Sequence, residues 1–170
     1  SEAELNRSLS QLVPPDSLGS LTIAVESIAR AIETDELITV AGDYDCDGAT
    51  GTTVGYRGLR LLGAKFVKTV VPDRAIHGYG LSKGLVDYMD PKTNLIVTVD
   101  SGTSSVEGIA HANAKGMRVV VTDHHLQGDT LPAAEAIVNP NLIGDPFPSK
   151  TLAGVGVMFY VLCAVRSHLR

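Results

Sequence analysis

The side chains best suited to chemistry form three groups, and each group directly follows a short apolar segment of the chain. In chain order the groups are Asp43, Asp45 and Asp47; Asp100; and Asp123, His124 and His125. Carboxylate oxygens with few imidazole nitrogens suit Mn²⁺ or Mg²⁺ better than structural zinc, which favours Cys and His. Several carboxylates at one place suit two ions, which together stabilise the attacking and leaving oxygens of a phosphoryl displacement. The residue types therefore point to metal-dependent phosphoryl chemistry.

The first acidic group has two interpretations. Asp43, Asp45 and Asp47 alternate, and alternate side chains of an extended chain share a face, where three carboxylates repel one another unless cations neutralise them. The alternative is an acidic turn, in which one aspartate caps a helix that starts near Gly48. A calcium-binding EF-hand loop is excluded, because it follows a helix and needs a glutamate where Val54 stands. For this segment alone, the metal site and the turn both stay open.

The surrounding segments predict the frame that positions these groups. Short apolar, β-branched runs predict strands at 37–41, 66–71, 95–99, 117–122 and 136–138. Helical spacing predicts helices at 20–33, 48–62, 82–89, 103–115 and 152–169. Apolar strands that alternate with helices indicate an α/β fold, a parallel five-stranded sheet flanked by helices. Ligands of such sheets bind at the carboxyl ends of the strands, so we expect all three groups to converge there.

Local signals refine this frame. Ser20 is a predicted N-cap, and Ser104 with Glu107 three residues later forms the capping-box pattern at the fourth helix. Adjacent side chains of an extended chain point to opposite sides, so we expect only one of His124 and His125 to face a given metal ion. The other histidine would then hold its neighbour in place or meet the substrate.

Composition limits the class of protein. The chain has 170 residues, of which 44% are hydrophobic, and this fits one domain with a short appendage. No run of 18 apolar residues and no signal-peptide pattern occurs, so we expect no membrane association. The net charge of −5 argues against nonspecific nucleic-acid binding through charge alone. Two cysteines, Cys46 and Cys163, cannot form a disulfide framework, so we expect a cytoplasmic protein.

The ordered motifs resemble the DHH phosphoesterase superfamily and, within it, the RecJ-like single-strand-specific exonucleases. The residues that carry the superfamily resemblance are Gly42 to Thr50, Val99 to Gly102, and Asp123-His124-His125. Three further segments are similar to the RecJ-like group in particular, and these are His77 to Ser82, Val138 to Asn141, and Leu152 to Val157. The ordered combination is far more specific than any one motif.

The resemblance implies an enzyme that hydrolyses phosphodiester bonds of single-stranded DNA from the 5′ end, in DNA repair and recombination. It implies Mn²⁺ or Mg²⁺, two ions in the complete enzyme, with Asp45, Asp47, Asp100 and His124 as the metal ligands. Asp43 would be a ligand or a base behind the ligands, Asp123 would orient an imidazole, and His125 would contact the metal site or the scissile phosphate. The substrate contacts implied by the resemblance are Arg74, His77, Gly78, Ser101 and Gly102. Single-strand-binding protein or a helicase would be a partner.

Two features depart from the family pattern. Cys46 stands where a small apolar residue is more common, and we expect it to be buried, pointing away from Asp45 and Asp47. The pattern also includes a later acidic motif and a second domain, and neither has a counterpart before Arg170. We therefore expect a helical lead-in at 1–19, a DHH-type domain over 20–170 that stops short of the last acidic motif, and weak or no activity from this chain alone.

Two other functions stay open. One is a phosphodiesterase of the same superfamily that acts on small substrates, such as oligoribonucleotides or cyclic dinucleotides. The other is a replication scaffold that has the same fold but no activity. The presence of all three visible acidic motifs argues against the scaffold, and the RecJ-like segments argue against the small-substrate enzyme.

Overall fold

The computed structural model of the protein describes residues 12–170, and all structural statements below concern that part of the chain. The helical lead-in predicted for 1–19 lies mostly outside the described residues. Within the described part, the lead-in contains one 3-10 turn at Pro15–Ser17.

The five strands form one parallel sheet in the order β2-β1-β3-β4-β5. Their bounds are β1 Leu37–Ala41, β2 Phe66–Val70, β3 Leu95–Val99, β4 Arg118–Thr122 and β5 Ala136–Val138. β3 lies in the middle of the sheet and is buried along its whole length. This confirms the predicted α/β fold, and each strand begins and ends within a residue of its predicted bounds.

Five helices cover the two faces of the sheet. They are α1 Leu21–Glu33, α2 Cys46–Leu61, α3 Lys83–Tyr88, α4 Val106–Ala114 and α5 Gly154–His168. One core cluster joins α1, α2 and α5 to the sheet, and a second joins α3 and α4 to the opposite face. Neighbouring strand residues alternate between the two clusters: Leu95 and Val97 belong to the first, and Ile96 belongs to the second. The sheet is therefore rigidly held from both sides.

Of the two predicted helix N-caps, Ser20 is confirmed in position but makes no cap hydrogen bond, and Ser104 is wrong by one residue. Ser20 occupies the N-cap position of α1 but has a left-handed backbone, with φ of 57°, and its side chain makes no cap hydrogen bond. The N-cap of α4 is Ser105, one residue beyond the predicted Ser104, and Glu107 pairs with Lys83 instead of closing a capping box. The Ser105 hydroxyl accepts a hydrogen bond from the Leu81 amide at 3.1 Å. At α4, contacts of Ser105 and Glu107 with residues distant in sequence thus take the place of the predicted local cap.

The loops that carry the three chemical groups follow β1, β3 and β4. Because all strands are parallel, these loops emerge at the same edge of the sheet, as predicted. No helix within residues 12–170 is both long and apolar enough to cross a membrane.

Candidate metal centre

Asp100 lies at the centre of the site because it directly follows the central strand. Its amide donates to the Thr122 carbonyl at 3.0 Å, which continues the ladder between β3 and β4, and the residue is only 1% exposed. Its φ of 60° is left-handed, a conformation that aspartate tolerates better than most residues. The chain therefore turns sharply at Asp100.

Ser101 and Gly102 build this turn. Ser101 is 2% exposed, and its carbonyl accepts the Thr98 hydroxyl at 2.7 Å. Gly102 has a φ of 117°, and a β-carbon there would lie 2.6 Å from Thr98 Oγ1 and 3.0 Å from Val121 Cγ1. The sequence placed both residues in contact with substrate. Both residues are buried and shape the loop beneath Asp100, and their contact with substrate stays a prediction.

Asp123 organises the two histidines that follow β4. Its Oδ1 accepts the His124 amide at 2.7 Å, the His125 amide at 3.1 Å and His125 Nδ1 at 2.7 Å. Burial by itself would raise the pKa of Asp123, but the hydrogen bonds from His125 and Thr103 outweigh it and lower that pKa below its ordinary value. The proton on His125 Nδ1 is assigned from this contact, and it leaves the lone pair on Nε2. Asp123 thus orients an imidazole, as expected.

Both histidines face Asp100. His124 Nε2 lies 2.9 Å from Asp100 Oδ1, and the two imidazole rings stand edge to face with centroids 4.7 Å apart. One ring nitrogen of each histidine lies within 4.8 Å of an Asp100 carboxylate oxygen. The His125 nitrogen near Asp100 is Nδ1, which lies 4.0 Å from Asp100 Oδ1 and already contacts Asp123 Oδ1. The expectation that only one imidazole faces a given metal ion therefore stays a prediction.

The acidic loop after β1 supplies a second group of oxygens around the same residue. Oxygens of Asp43, Asp45 and Asp100 lie within 4.8 Å of one another. Asp43 is 4% exposed, and Asp45 is the N-cap of α2, accepting the Gly48 amide at 2.8 Å. The extended chain assumed for the triplet is wrong, since α2 begins at Cys46. The turn and the cluster of possible ligands are therefore features of one loop.

Asp47 has a different environment. Both of its oxygens accept backbone amides at the start of α5, from Gly154 at 2.7 Å and from Val155 at 2.8 Å. It lies 3.6 Å from His124 Nε2 but belongs to neither group of close ligand atoms. Its metal-ligand role stays a prediction, and its visible role is to tie α2 to the N-terminus of α5, where a carboxylate is favoured.

The Asp100 carboxyl carries the clearest electrostatic signal. Burial, and then the nearby charges of Asp47 and Asp45, raise its pKa to about 7. Within residues 12–170, its Oδ1 is a buried oxygen that accepts no hydrogen bond, because the geometry of the 2.9 Å approach by His124 is not that of a hydrogen bond. Adjacent ligands of an octahedral ion with bonds of about 2.1 Å are about 3 Å apart. This donor set therefore fits a hard divalent cation.

Arg74 lies beside the cluster. Its guanidinium stacks over the Tyr44 ring at 4.9 Å, next to the acidic loop. The His77 side chain makes other contacts: its Nδ1 accepts the Asp73 amide at 3.0 Å, and its ring packs against Tyr88. Gly78 has a φ of 75° and open space around it. The structure thus places Arg74 over Tyr44 of the acidic loop and His77 against Tyr88, and the substrate contacts of Arg74, His77 and Gly78 stay predictions.

Sequence reasoning missed Tyr79. Its hydroxyl lies 3.4 Å from His125 Nε2, and the two rings meet edge to face. Burial raises the pKa of Tyr79, and the charges of Asp123, Asp43 and Asp100 raise it further. The available signal was its place in the His77 to Ser82 segment that is similar to the RecJ-like group, between Gly78 and Gly80.

Cys46 is exposed, so its predicted burial is wrong. The prediction assumed an extended chain, in which neighbouring side chains point to opposite faces. Because α2 begins at this residue, its side chain points into solvent from the first turn of the helix.

Comparison with known proteins agrees with this geometry. A single-stranded-DNA-specific exonuclease RecJ from Salmonella typhimurium is 50% identical over 171 residues, and one from Bacillus subtilis is 38% identical over 156. The alignments cover 100% and 91% of this chain but only 30% and 20% of those relatives, so the chain spans less than a third of their length.

Solved structures give the same result. An exonuclease RecJ bound to manganese superposes with a TM-score of 0.81 at 34% identity, over 92% of this chain and 39% of its own. RecJ from Thermus thermophilus in complex with Mn²⁺ gives 0.77 at 32%, over 93% and 22%. The model of the DHH family, N-terminal domain, matches residues 37–169. That range holds all five strands and all three acidic motifs, and the chain belongs to the DHH family.

Proposed function

We propose that this chain is the metal-binding part of a nuclease that hydrolyses single-stranded DNA from its 5′ end and releases 5′-mononucleotides. One observation carries the proposal: two groups of potential ligands share the buried Asp100, whose Oδ1 accepts no hydrogen bond from the described residues. That oxygen lies 2.9 Å from His124 Nε2 and near the carboxylates of Asp43 and Asp45, and a bound cation would offset the cost of burying these groups together. The names of the relatives supply the substrate class, and Mn²⁺ or Mg²⁺ is bound in solved RecJ structures.

The role proposed for each residue follows from where it lies. Asp100 would hold the divalent ions together with His124 and His125, from one group of possible ligands, and with Asp43 and Asp45, from the other. Bound divalent ions would neutralise phosphate charge and make a water molecule more acidic. Asp123 holds the proton on His125 Nδ1, so Nε2, which lies 3.4 Å from the Tyr79 hydroxyl, is the nitrogen that would accept a hydrogen bond or hold an ion.

The remaining residues surround this centre. Asp47, in the first turn of α2, would support the metal centre by binding the first two amides of α5. It would act as a ligand only if those two contacts rearrange. Arg74 would bind a phosphate of the strand, because its guanidinium is exposed beside the acidic loop. His77 and Gly78 would form the rim over which the strand passes.

We further propose that the site is completed outside this chain. Its relatives are more than three times as long. The net charge of −5 gives these residues little electrostatic attraction for DNA. A DHH-type domain over 20–170 would then need a later carboxylate and a second domain to close the cleft and align the scissile phosphate.

A cytoplasmic location also belongs to this proposal, and Cys46 and Cys163, which are both free thiols, support it. Single-strand-binding protein or a helicase stays a predicted partner.

The experiment compares residues 1–170 with a polypeptide extended to the length of the relatives, in Mn²⁺, on 5′- and 3′-labelled single strands and on dinucleotides. We expect the long form to degrade single strands from the 5′ end, the short form to release little, and Asp100→Ala to abolish activity. Preference for dinucleotides would favour the small-substrate enzyme. Absence of metal binding in both forms would favour the scaffold. Full activity of residues 1–170 would contradict the proposal that the site needs a further ligand from outside this chain.

A further inference from the structure

The segment after β5 makes contacts that the metal ligands alone do not explain. Asn139 directly follows β5, and its side chain is completely buried at the edge of the sheet where the histidines lie. Asn141, two residues later, is half-buried at the surface of the same loop. Neither side chain belongs to the group of possible metal ligands, yet both amides point to the Asp123-His125 segment.

The two asparagines bind the main chain of both histidines. Asn139 Nδ2 donates to the His125 carbonyl at 2.8 Å, and Asn141 Nδ2 donates to the His124 carbonyl. The pair is also joined internally, because Asn139 Oδ1 accepts the Asn141 amide at 2.8 Å. The peptide plane that follows each imidazole is therefore fixed from one short loop.

Asn139 also closes a ring of hydrogen bonds around Asp123. Its Nδ2 donates to Thr103 Oγ1 at 2.9 Å, and the Thr103 amide donates to Asp123 Oδ2 at 2.9 Å. Asp123 Oδ1 in turn accepts His125 Nδ1 at 2.7 Å. The buried Asn139 amide thus contacts both Thr103, which binds the Asp123 carboxylate, and the His125 carbonyl. Both of its donated hydrogen bonds go to residues that orient the imidazoles or support the residue that does.

We propose that Asn139 and Asn141 are positioning residues, which hold the backbone of His124 and His125 so that both imidazoles face Asp100. The proposal rests on the metal site described under the proposed function. Metal ligands need placement to within about 0.5 Å, and their supporting partners provide it. Loss of such a partner typically weakens metal affinity by about 10- to 100-fold.

The test measures Mn²⁺ dissociation constants by calorimetry for residues 1–170 and for Asn139→Ala and Asn141→Ala. Asn113→Ala is the matched control, because that side chain also donates to a backbone carbonyl, that of Ala133 at 2.8 Å, but from α4 and away from the site. Melting temperatures without metal report the structural cost of each change separately. Asn141→Ala keeps the test decisive if the buried Asn139→Ala variant does not fold.

We expect Asn141→Ala to weaken Mn²⁺ binding by tenfold or more while its metal-free melting temperature stays close to that of Asn113→Ala, whose affinity is unchanged. A folded Asn141→Ala protein that binds Mn²⁺ as tightly as the parent overturns the positioning role and leaves the metal site intact. A parent chain that binds no Mn²⁺ overturns the proposed function, and the positioning role with it.

Discussion

Gly154 approaches Asp100 so closely that no side chain fits between them. A β-carbon at position 154 would lie 2.7 Å from both Cβ and Oδ1 of Asp100, and 2.9 Å from its Cα. Because backbone and buried carboxylate are involved, no flexible group is able to give way. The N-terminus of α5 is thus built against the central residue of the candidate metal centre.

Gly154→Ala should therefore displace Asp100. We expect Mn²⁺ affinity to fall by tenfold or more, and the free energy of unfolding to fall by about 1–3 kcal/mol from overpacking. Gly156→Ala is the control, since its β-carbon would meet only the Leu152 side chain, 2.5 Å from Cδ1 and 3.0 Å from Cγ, and not Asp100. Calorimetric Mn²⁺ titration and thermal unfolding of both variants measure the two effects. Unchanged affinity in Gly154→Ala would show that this contact does not position the ligand.

Asp47 should matter for stability even without metal. Its carboxylate accepts the first two amides of α5, so Asp47→Ala leaves two donors unpaired at a helix N-terminus. We expect the metal-free chain to lose about 1–2 kcal/mol in urea unfolding, as for other lost helix caps. Asp129→Ala, in an exposed loop, is the control of equal charge change. Equal stability of the two variants in EDTA would contradict this role.

The raised pKa of Asp100 predicts a pH dependence of stability. Because the carboxyl takes up a proton on folding, its contribution to the free energy of unfolding declines as pH rises from about 4 to about 7, and is level above that. Asp100→Asn is neutral throughout and should lack this decline. The hydrogen bond to Asp123 raises the pKa of His125 in both proteins, so His125 stabilises both folded states until pH rises through that pKa. This shared effect largely cancels when the free energies of unfolding of the two proteins are subtracted.

Urea unfolding of both proteins in EDTA, at several pH values between about 5 and 8, checks this. The variant should gain stability relative to the parent as pH rises. Parallel curves would show that Asp100 titrates in its ordinary range.

The positions of the strands and helices were predictable from sequence because the residue patterns that define them are local. Apolar β-branched runs defined the strands, and the rule that ligands bind at the carboxyl ends of parallel strands brought Asp43, Asp100 and His124 to one edge. The order of the motifs along the chain gave the family resemblance, which the family match over residues 37–169 confirms.

What failed depended on distant contacts or on local chain direction. The partners of Asp47 lie 107 and 108 residues away, which no spacing rule reveals. Cys46 was placed by assuming an extended backbone, but α2 begins at this residue. Tyr79 was overlooked because its neighbour, His125, is 46 residues further along the chain.

The central claim is that Asp100 is the shared ligand of a divalent-cation site, and Mn²⁺ titration of the parent chain beside Asp100→Asn tests it most directly. The variant keeps the size of the side chain and removes the charge, and its metal-free stability near neutral pH should equal or exceed that of the parent. We expect saturable Mn²⁺ binding by the parent and a loss of at least 100-fold in the folded variant, on the order of 3 kcal/mol. Binding of Mn²⁺ by Asp100→Asn with the parent's affinity would contradict it.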